Sequence, residues 1–399
     1  MGADPADPRF RVGINYWPMR TAMRWWAEFV RAEVDEDFAR IAGGGFDSVR
    51  CFLLWEAFQP APDRVDTAML ERLVSVADAA EHAGLAIVPT LFAGHMSGVD
   101  WIPGWALGGT ERDARFRVVS GGRVVPDGVR NWYADPDVVR AQSRLAGEAA
   151  AALAGHPALW AWDLGNENSN CTMPPDREDA RRWLAGTTGA IRAADPEAAV
   201  TIGIHMEDLE EDRRLGPAEA AEACDFLTMH GYPIYATWSE GPTDAHLVPF
   251  LARVTRWLGG GADVMFSEFG LPTAPRGEPA DPPLVAEDAA ATYTERVLDG
   301  LRLAGCTGAM LWCYGDYDPR IWTDPPLDEA VHERSFGLWR ADGSAKPGVG
   351  VVGAFAGATR SALPDDGWID IDADRYWRRP GVELPRLYGR FKETRTGAV

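Results

Sequence analysis

Short apolar strands alternate with amphipathic helices from residue 11 to about residue 358, the pattern of repeated βα units around a parallel sheet. Eight strand candidates stand out: 11–16 (RVGINY), 46–53 (FDSVRCFL), 85–92 (LAIVPTLF), 159–165 (LWAWDLG), 199–204 (AVTIGI), 225–230 (DFLTMH), 263–268 (DVMFSE) and 307–313 (TGAMLWC). Between them the apolar period lengthens to 3.6 residues. Leu70, Leu73, Val74, Ala77 and Ala80 share one helix face, with Gly84 as a C-terminal stop. The Asp135-Pro136 pair marks another helix start, with proline in the first turn. Pro89 forfeits a ladder hydrogen bond, so the third strand is expected to be irregular near its end.

Eight such units predict an α/β chain folded as a (β/α)8 TIM barrel with long βα loops. The longest connection, 93–134, carries Trp101, Trp105, Trp132 and Tyr133. Loops of that length usually wall a binding site. After residue 359 the alternation stops. The expected division is therefore a catalytic barrel over 1–358 and an aromatic C-terminal extension over 359–399, packed on the barrel through Trp368, Tyr376, Trp377 and Tyr388.

Composition narrows the partners. A net charge of -21 repels nucleic-acid phosphates and anionic lipid, so neither is expected, and a neutral or cationic ligand fits better. No basic segment followed by an apolar stretch opens the chain, and no run of about 18 apolar residues occurs, so a soluble, cytoplasmic protein is expected. A homo-oligomer is compatible with the sequence. Five scattered cysteines without CxxC spacing read as reduced thiols rather than a zinc or redox site. Lys346 and Lys392 are the only lysines among 39 basic residues, and both follow the last strand, which disfavours Schiff-base chemistry. Seventeen tryptophans suit sugar rings, whose apolar faces stack on indole.

In a barrel of this kind the active site lies at the C-terminal ends of the strands. Strand two ends near Arg50 and strand three leads to His95. Strand four ends Asn166-Glu167, strand six ends His230-Gly231-Tyr232, strand seven closes with Glu268 and strand eight carries Trp312. Taken singly, Arg50 is as readily a structural ion pair, His95 and His230 satisfied core histidines, and Trp312 packing. Two carboxylates at facing strand ends among them are what a retaining glycosidase requires, about 5–5.5 Å apart. Arg50 and Tyr232 are expected to hold Glu268 ionised, and Glu167 to keep a raised pKa through desolvation and nearness to that carboxylate. Trp17, Trp55 and Trp322 are further candidates for sugar platforms.

With these residues in place, the chain resembles clan A of the glycoside hydrolases and, within it, glycoside hydrolase family 5. The segments that carry the resemblance are VGINYWP (12–18), VRCFLLWEAFQP (49–60), LGNEN (164–168), HGYP (230–233), SEFG (267–270), LWCYGDY (311–317) and ERSFGLWRADGSAKP (333–347). The resemblance implies Glu167 as acid/base, Glu268 as nucleophile and Asn166 as the partner of the sugar 2-hydroxyl. It further implies that Arg50 and Tyr232 orient Glu268, that His95 and His230 line the reactive subsite, that Trp312 forms its floor, and that no metal or other cofactor takes part. The NYWP and FLLWEAFQP openings and the aromatic tail are similar to bacterial β-mannosidases of subfamily 18, which act on mannosyl-β-1,4-N-acetylglucosamine. This implies exo action on short β-linked oligosaccharides, with the 93–134 loop closing the non-reducing end.

The nearest alternative is an endo-β-1,4-mannanase or another family 5 β-glycanase, which needs an open groove. A metal-dependent barrel hydrolase or sugar isomerase is more distant: His205 and His230 end adjacent strands, with Glu167, Glu268 and Asp316 as further ligands. No HxH follows strand one, and no lysine is placed to bridge metals. A catalytically dead sugar-binding barrel is disfavoured by the retention of both glutamates.

Overall fold

A computed structural model describes residues 7–109 and 115–396. The first six residues, the 110–114 segment of the long loop and the last three residues of the tail lie outside the described residues.

The eight barrel strands are β1 (Arg11–Tyr16), β2 (Ser48–Phe52), β3 (Ala86–Thr90), β4 (Trp162–Asn166), β5 (Val200–Gly203), β6 (Leu227–His230), β7 (Val264–Phe269) and β8 (Gly308–Leu311). All their pairings are parallel, and the sheet runs β5-β4-β3-β2-β1-β8-β7-β6. The barrel closes between β5 and β6, where Asp225 N donates to Val200 O, His230 N to Ile204 O, and Thr228 Oγ1 to Ile202 O. The expected barrel is therefore the observed one, with strand ends displaced by up to three residues. Pro89 leaves its mark on one side only. The pairing with β2 is continuous through Cys51 and Pro89, whereas toward β4 contact is reduced to Ile87 with Leu159 and Thr90 with Asp163. The amide that proline lacks would have pointed at β4, as those of Ile87 and Leu91 do.

Helices α1 (Arg31–Gly43), α2 (Thr67–Ala83), α3 (Pro136–Leu153), α4 (Arg177–Ala194), α5 (Pro217–Ala223), α6 (Leu247–Leu258), α7 (Glu287–Leu303) and α8 (Pro347–Gly353) surround the strands. Their ends obey local chemistry. Asp66 caps α2 by accepting from Ala68 N and Met69 N, and Gly84 stops it at φ 73°, a left-handed value that costs glycine little. Asp135 caps α3, with Pro136 at its first turn.

The barrel interior is layered. Its lower part is filled by Val88, Trp160, Ala161, Ala199, Phe226, Met265 and Met310, with Trp160 stacked on Phe226. The upper part is polar and holds Asn15, Arg50, Asp163, Asn166 and Glu268. The loop after β3 folds into its own small sheet, Val99–Trp101 pairing with His95–Met96 and with Arg117–Ser120. Along the tail, α9 (Ala373–Arg378) and α10 (Pro380–Thr396) lie against the barrel. Phe250 of α6 contacts Trp368, Tyr388 and Phe391, and Tyr376 donates to Leu209 O. Among the described residues no helix is long and apolar enough to cross a membrane.

Candidate active site

A cavity of roughly 460 Å³ opens at the C-terminal ends of the strands. It is lined by His95, Asn166, Glu167, His230, Tyr232, Glu268 and Trp312, so seven of the nine residues singled out in the sequence meet there. The other two do not reach it. Arg50 lies beneath the cavity floor, where it acts on Glu268. Trp17 is buried in the wall, stacked on Phe52 at 5.2 Å and edge-on to Trp25, and is core rather than a sugar platform. Trp55 is likewise buried, its indole N–H spent on Gln59, and Trp322 donates to Tyr317 O.

The site rests on Arg50. Its Nε and Nη2 donate to Asp163 Oδ2 at 2.8 and 2.6 Å, Nη2 also to Asn166 Oδ1 at 2.7 Å, and Nη1 to Asn15 Oδ1 at 3.1 Å. Nη1 also pairs with Glu268 Oε1. One planar cation thus links β2 to the ends of β1, β4 and β7, a task suited to the fixed fork of a guanidinium. Asn15 Nδ2 ties the same layer to Ser267 O and Leu311 O. Gly203 is required here by space, since a Cβ would stand 2.8 Å from Arg50 Nη2 and from Gly165 O.

Glu268 Oε2 accepts a hydrogen bond of 2.9 Å from Tyr232. Burial and the charges of Glu268 and Glu167 push the Tyr232 phenol well above its ordinary range, so it stays a donor. Glu167 occupies the left-handed region (φ 48°, ψ 43°), a conformation that costs a residue with a Cβ about 1–2 kcal/mol. Its amide donates to Gly203 O, and its carboxylate meets His230 Nδ1 at 2.9 Å and Asn170 Nδ2 at 3.1 Å. His205 Nδ1 stands 3.8 Å away. One oxygen of Glu167, one oxygen of Glu268 and a ring nitrogen of His230 all lie within 4.8 Å of one another.

The electrostatics of Glu167 correct the sequence-based expectation of a raised pKa. Burial does push it up, but the charges of His205, His230 and His95, with the His230 hydrogen bond, outweigh burial and hold it below the usual carboxylate range. Histidines facing it from three strand ends supply a positive field that the nearness of Glu268 does not cancel. For His95, burial works against the charged ring, yet the Asp100 carboxylate, 2.7 Å from Nδ1, raises its pKa. Asn166 spends its Oδ1 on Arg50 and one Nδ2 hydrogen on His95 O, leaving one amide hydrogen for a ligand.

Several contributors had no role assigned from sequence. Asp163 was legible in principle, since a carboxylate inside the apolar run LWAWDLG has to be paired. Tyr235 and Glu333 reach the cavity from connections after β6 and β8, where no period constrains a side chain. The loop after β3 contributes Met96, Ser97, Arg115 and Phe116. It is tied across the mouth by Arg115 to Glu207 and by Arg117 to Asp328.

No protein-family model and no curated protein matches the sequence. Among solved structures, the chain is similar to a GH5_18 protein from Streptomyces cattleya in complex with GlcNAc, at 24% identity and a TM-score of 0.81, covering 98% of this chain and 92% of that one. A GH5_18 protein from Bifidobacterium longum subsp. infantis gives 21% identity and a TM-score of 0.74, covering 90% of this chain and 81% of that one. An exo-beta-1,4-mannosidase from Opitutaceae bacterium strain TAV5 is 28% identical with a TM-score of 0.70, covering 87% of this chain and 59% of that longer one. The chain thus has the (β/α)8 fold of these proteins and resembles glycoside hydrolase family 5, subfamily 18.

Proposed function

We propose that this protein is a retaining, exo-acting β-mannosidase that hydrolyses short β-1,4-mannosides by double displacement, with Glu268 as nucleophile and Glu167 as acid/base. The observation that carries the proposal is the approach of the two carboxylates within 4.8 Å. That spacing suits direct attack on the anomeric carbon and is shorter than the roughly 6.5–9.5 Å that admits the water of an inverting enzyme.

Glu268, held by Arg50 and Tyr232, attacks C1, and the glycosidic bond breaks as its oxygen takes a proton from Glu167. Glu167 then removes a proton from water, which attacks C1 and releases Glu268, so the configuration is kept. The histidines favour the ionised form of Glu167, and its 2.9 Å contact with His230 fixes the carboxyl that serves the leaving oxygen. Trp312 is the floor under the reactive sugar, and the free amide hydrogen of Asn166 serves its 2-hydroxyl.

Exo action on a short substrate is supported by the loop after β3, whose ion pairs to Glu207 and Asp328 fence the mouth. The mannoside assignment is supported by a GH5_18 variant from Streptomyces cattleya solved with Manb1-4GlcNAc, 24% identical with a TM-score of 0.78. The test is Glu268→Ala assayed on aryl β-mannosides. Hydrolysis is expected to vanish and to return with azide as the α-glycosyl azide. Unimpaired activity, or a product of inverted configuration from the native protein, would refute the assignment.

The grouping of Glu167, His230 and Glu268 also has the donor set of a cation site. Glu268, however, is already engaged by Arg50 at one oxygen and Tyr232 at the other. Chelation with EDTA is expected to leave activity intact, and a loss restored by a divalent metal would favour the second reading.

A further inference from the structure

Beyond the two reacting carboxylates the cavity holds a third, Glu333, from the short helix Val331–Ser335 in the connection after β8. It is only 6% exposed, yet among the described residues none of its contacts is a strong hydrogen bond. Tyr235 Oη and Trp312 Nε1 approach at 3.4 Å and His332 Nε2 at 3.5 Å, all longer than the roughly 2.5–2.9 Å of charge-assisted bonds. Ser97 reaches toward the same carboxyl, but among the described residues its buried hydroxyl has no partner at hydrogen-bond geometry. Among the described residues, a buried carboxyl and a buried hydroxyl thus face the cavity with bonding capacity unspent, which is costly unless a ligand supplies the partners.

The position of Glu333 identifies that ligand group. On the reading above Glu167 stands at the glycosidic oxygen, so the aglycone leaves on its side, toward Asn170 and His205, which flank that carboxylate. The glycone must then lie over Glu268 and Trp312. Glu333 is at the edge of that floor, since the Trp312 indole N–H points to it. We propose that Glu333, with Ser97 and Tyr235, binds the glycone hydroxyls remote from the scissile bond and ends the cavity there, so that it recognises a chain terminus. Burial raises the Glu333 carboxyl to about 7, so near neutrality it can donate as well as accept. This inference rests on the glycosidase reading above.

The test measures kcat/KM for an aryl β-mannoside and its 4-deoxy and 6-deoxy analogues with native enzyme, Glu333→Ala and Glu333→Gln. If the native enzyme prefers another aryl β-glycoside, the deoxy series of that sugar is used. Native enzyme is expected to lose about 10–100-fold on removal of the contacted hydroxyl, the range for hydrogen bonds to charged groups. Glu333→Ala should lose less than about 3-fold, because the partner is already gone. Glu333→Gln should retain part of the discrimination and serves if the alanine variant does not fold. An equal penalty in native and variant enzymes, or none at either position, overturns the inference. Failure of the native protein to hydrolyse any aryl β-glycoside overturns the glycosidase reading and this inference with it.

Discussion

Replacing Arg50 by methionine tests the polar layer on which the site stands. The guanidinium is buried and serves Asp163, Asn166, Asn15 and Glu268 together. Methionine occupies much of the stem's volume but donates nothing, so two buried carboxylates lose the cation they share. Removing one partner of a buried ion pair costs about 3–5 kcal/mol. Asp163 keeps Thr90 Oγ1, Gly165 N and Gly203 N as donors, at 2.8, 3.2 and 2.9 Å, which limits the loss on its side. Glu268 keeps Tyr232 at 2.9 Å. At about 2.1 cal/mol/K of unfolding entropy per residue, a chain of 399 residues loses about 5 °C of melting temperature for about 4 kcal/mol. Calorimetry on the native protein, Arg50→Met, Asp163→Asn and the double variant checks this. The double variant should be less destabilised than the sum of the singles, by on the order of 1–3 kcal/mol, because the amide removes one unpaired charge. A fall below about 1 °C in Arg50→Met, or strict additivity, would refute the reasoning.

Three further outcomes are expected. Glu167→Ala should slow substrates with poor leaving groups far more than activated aryl glycosides, by about 100-fold or more in relative kcat, since only the former need the proton; equal losses would contradict the acid role. Tyr232→Phe should lower kcat by roughly 10²-fold with little change in KM, as removal of one preorganised donor does. Because the Tyr232 phenol is held well above its ordinary range, the alkaline limb of the native pH profile should persist in that variant. The Glu333 carboxyl is raised from 4.5 to about 7, so it binds its proton more tightly in the folded state. Its stabilising contribution is full below about 4.5 and lost as pH rises through about 7, and the melting temperature of Glu333→Gln should therefore gain on the native protein across that window. A constant difference between the two melting curves would show that the carboxyl does not titrate there.

The barrel was legible because each βα unit repeats two periods that a single sequence displays, and the rim residues were legible because strand ends in such a barrel all face one way. Glu167, Glu268, His230 and Tyr232 converge for that reason. Trp17 was misplaced because Tyr16 ends β1 and Trp17 already turns into the wall behind Phe52. Indole chemistry is the same in a core and on a platform, and sequence alone does not separate them. Glu333 opens the ERSFGLWRADGSAKP segment but was given no role, because it lies in an irregular connection, 21 residues from Trp312 along the chain but in contact with it.

The pKa of Glu167 shows a deeper limit. Its identity and strand end were readable, but the sign of its shift depends on which charges surround it, and those come from three separate βα units. His95 follows β3 and is held by Asp100 from the hairpin beyond it, His205 follows β5, and His230 ends β6. Reasoning from the carboxylate pair alone predicts a raised value; adding the histidines reverses it. The sign of the shift at Glu167 is therefore set by the histidines around it rather than by the carboxylate pair. Replacing His230 would change the protonation of Glu167 even though the imidazole need not touch the leaving oxygen.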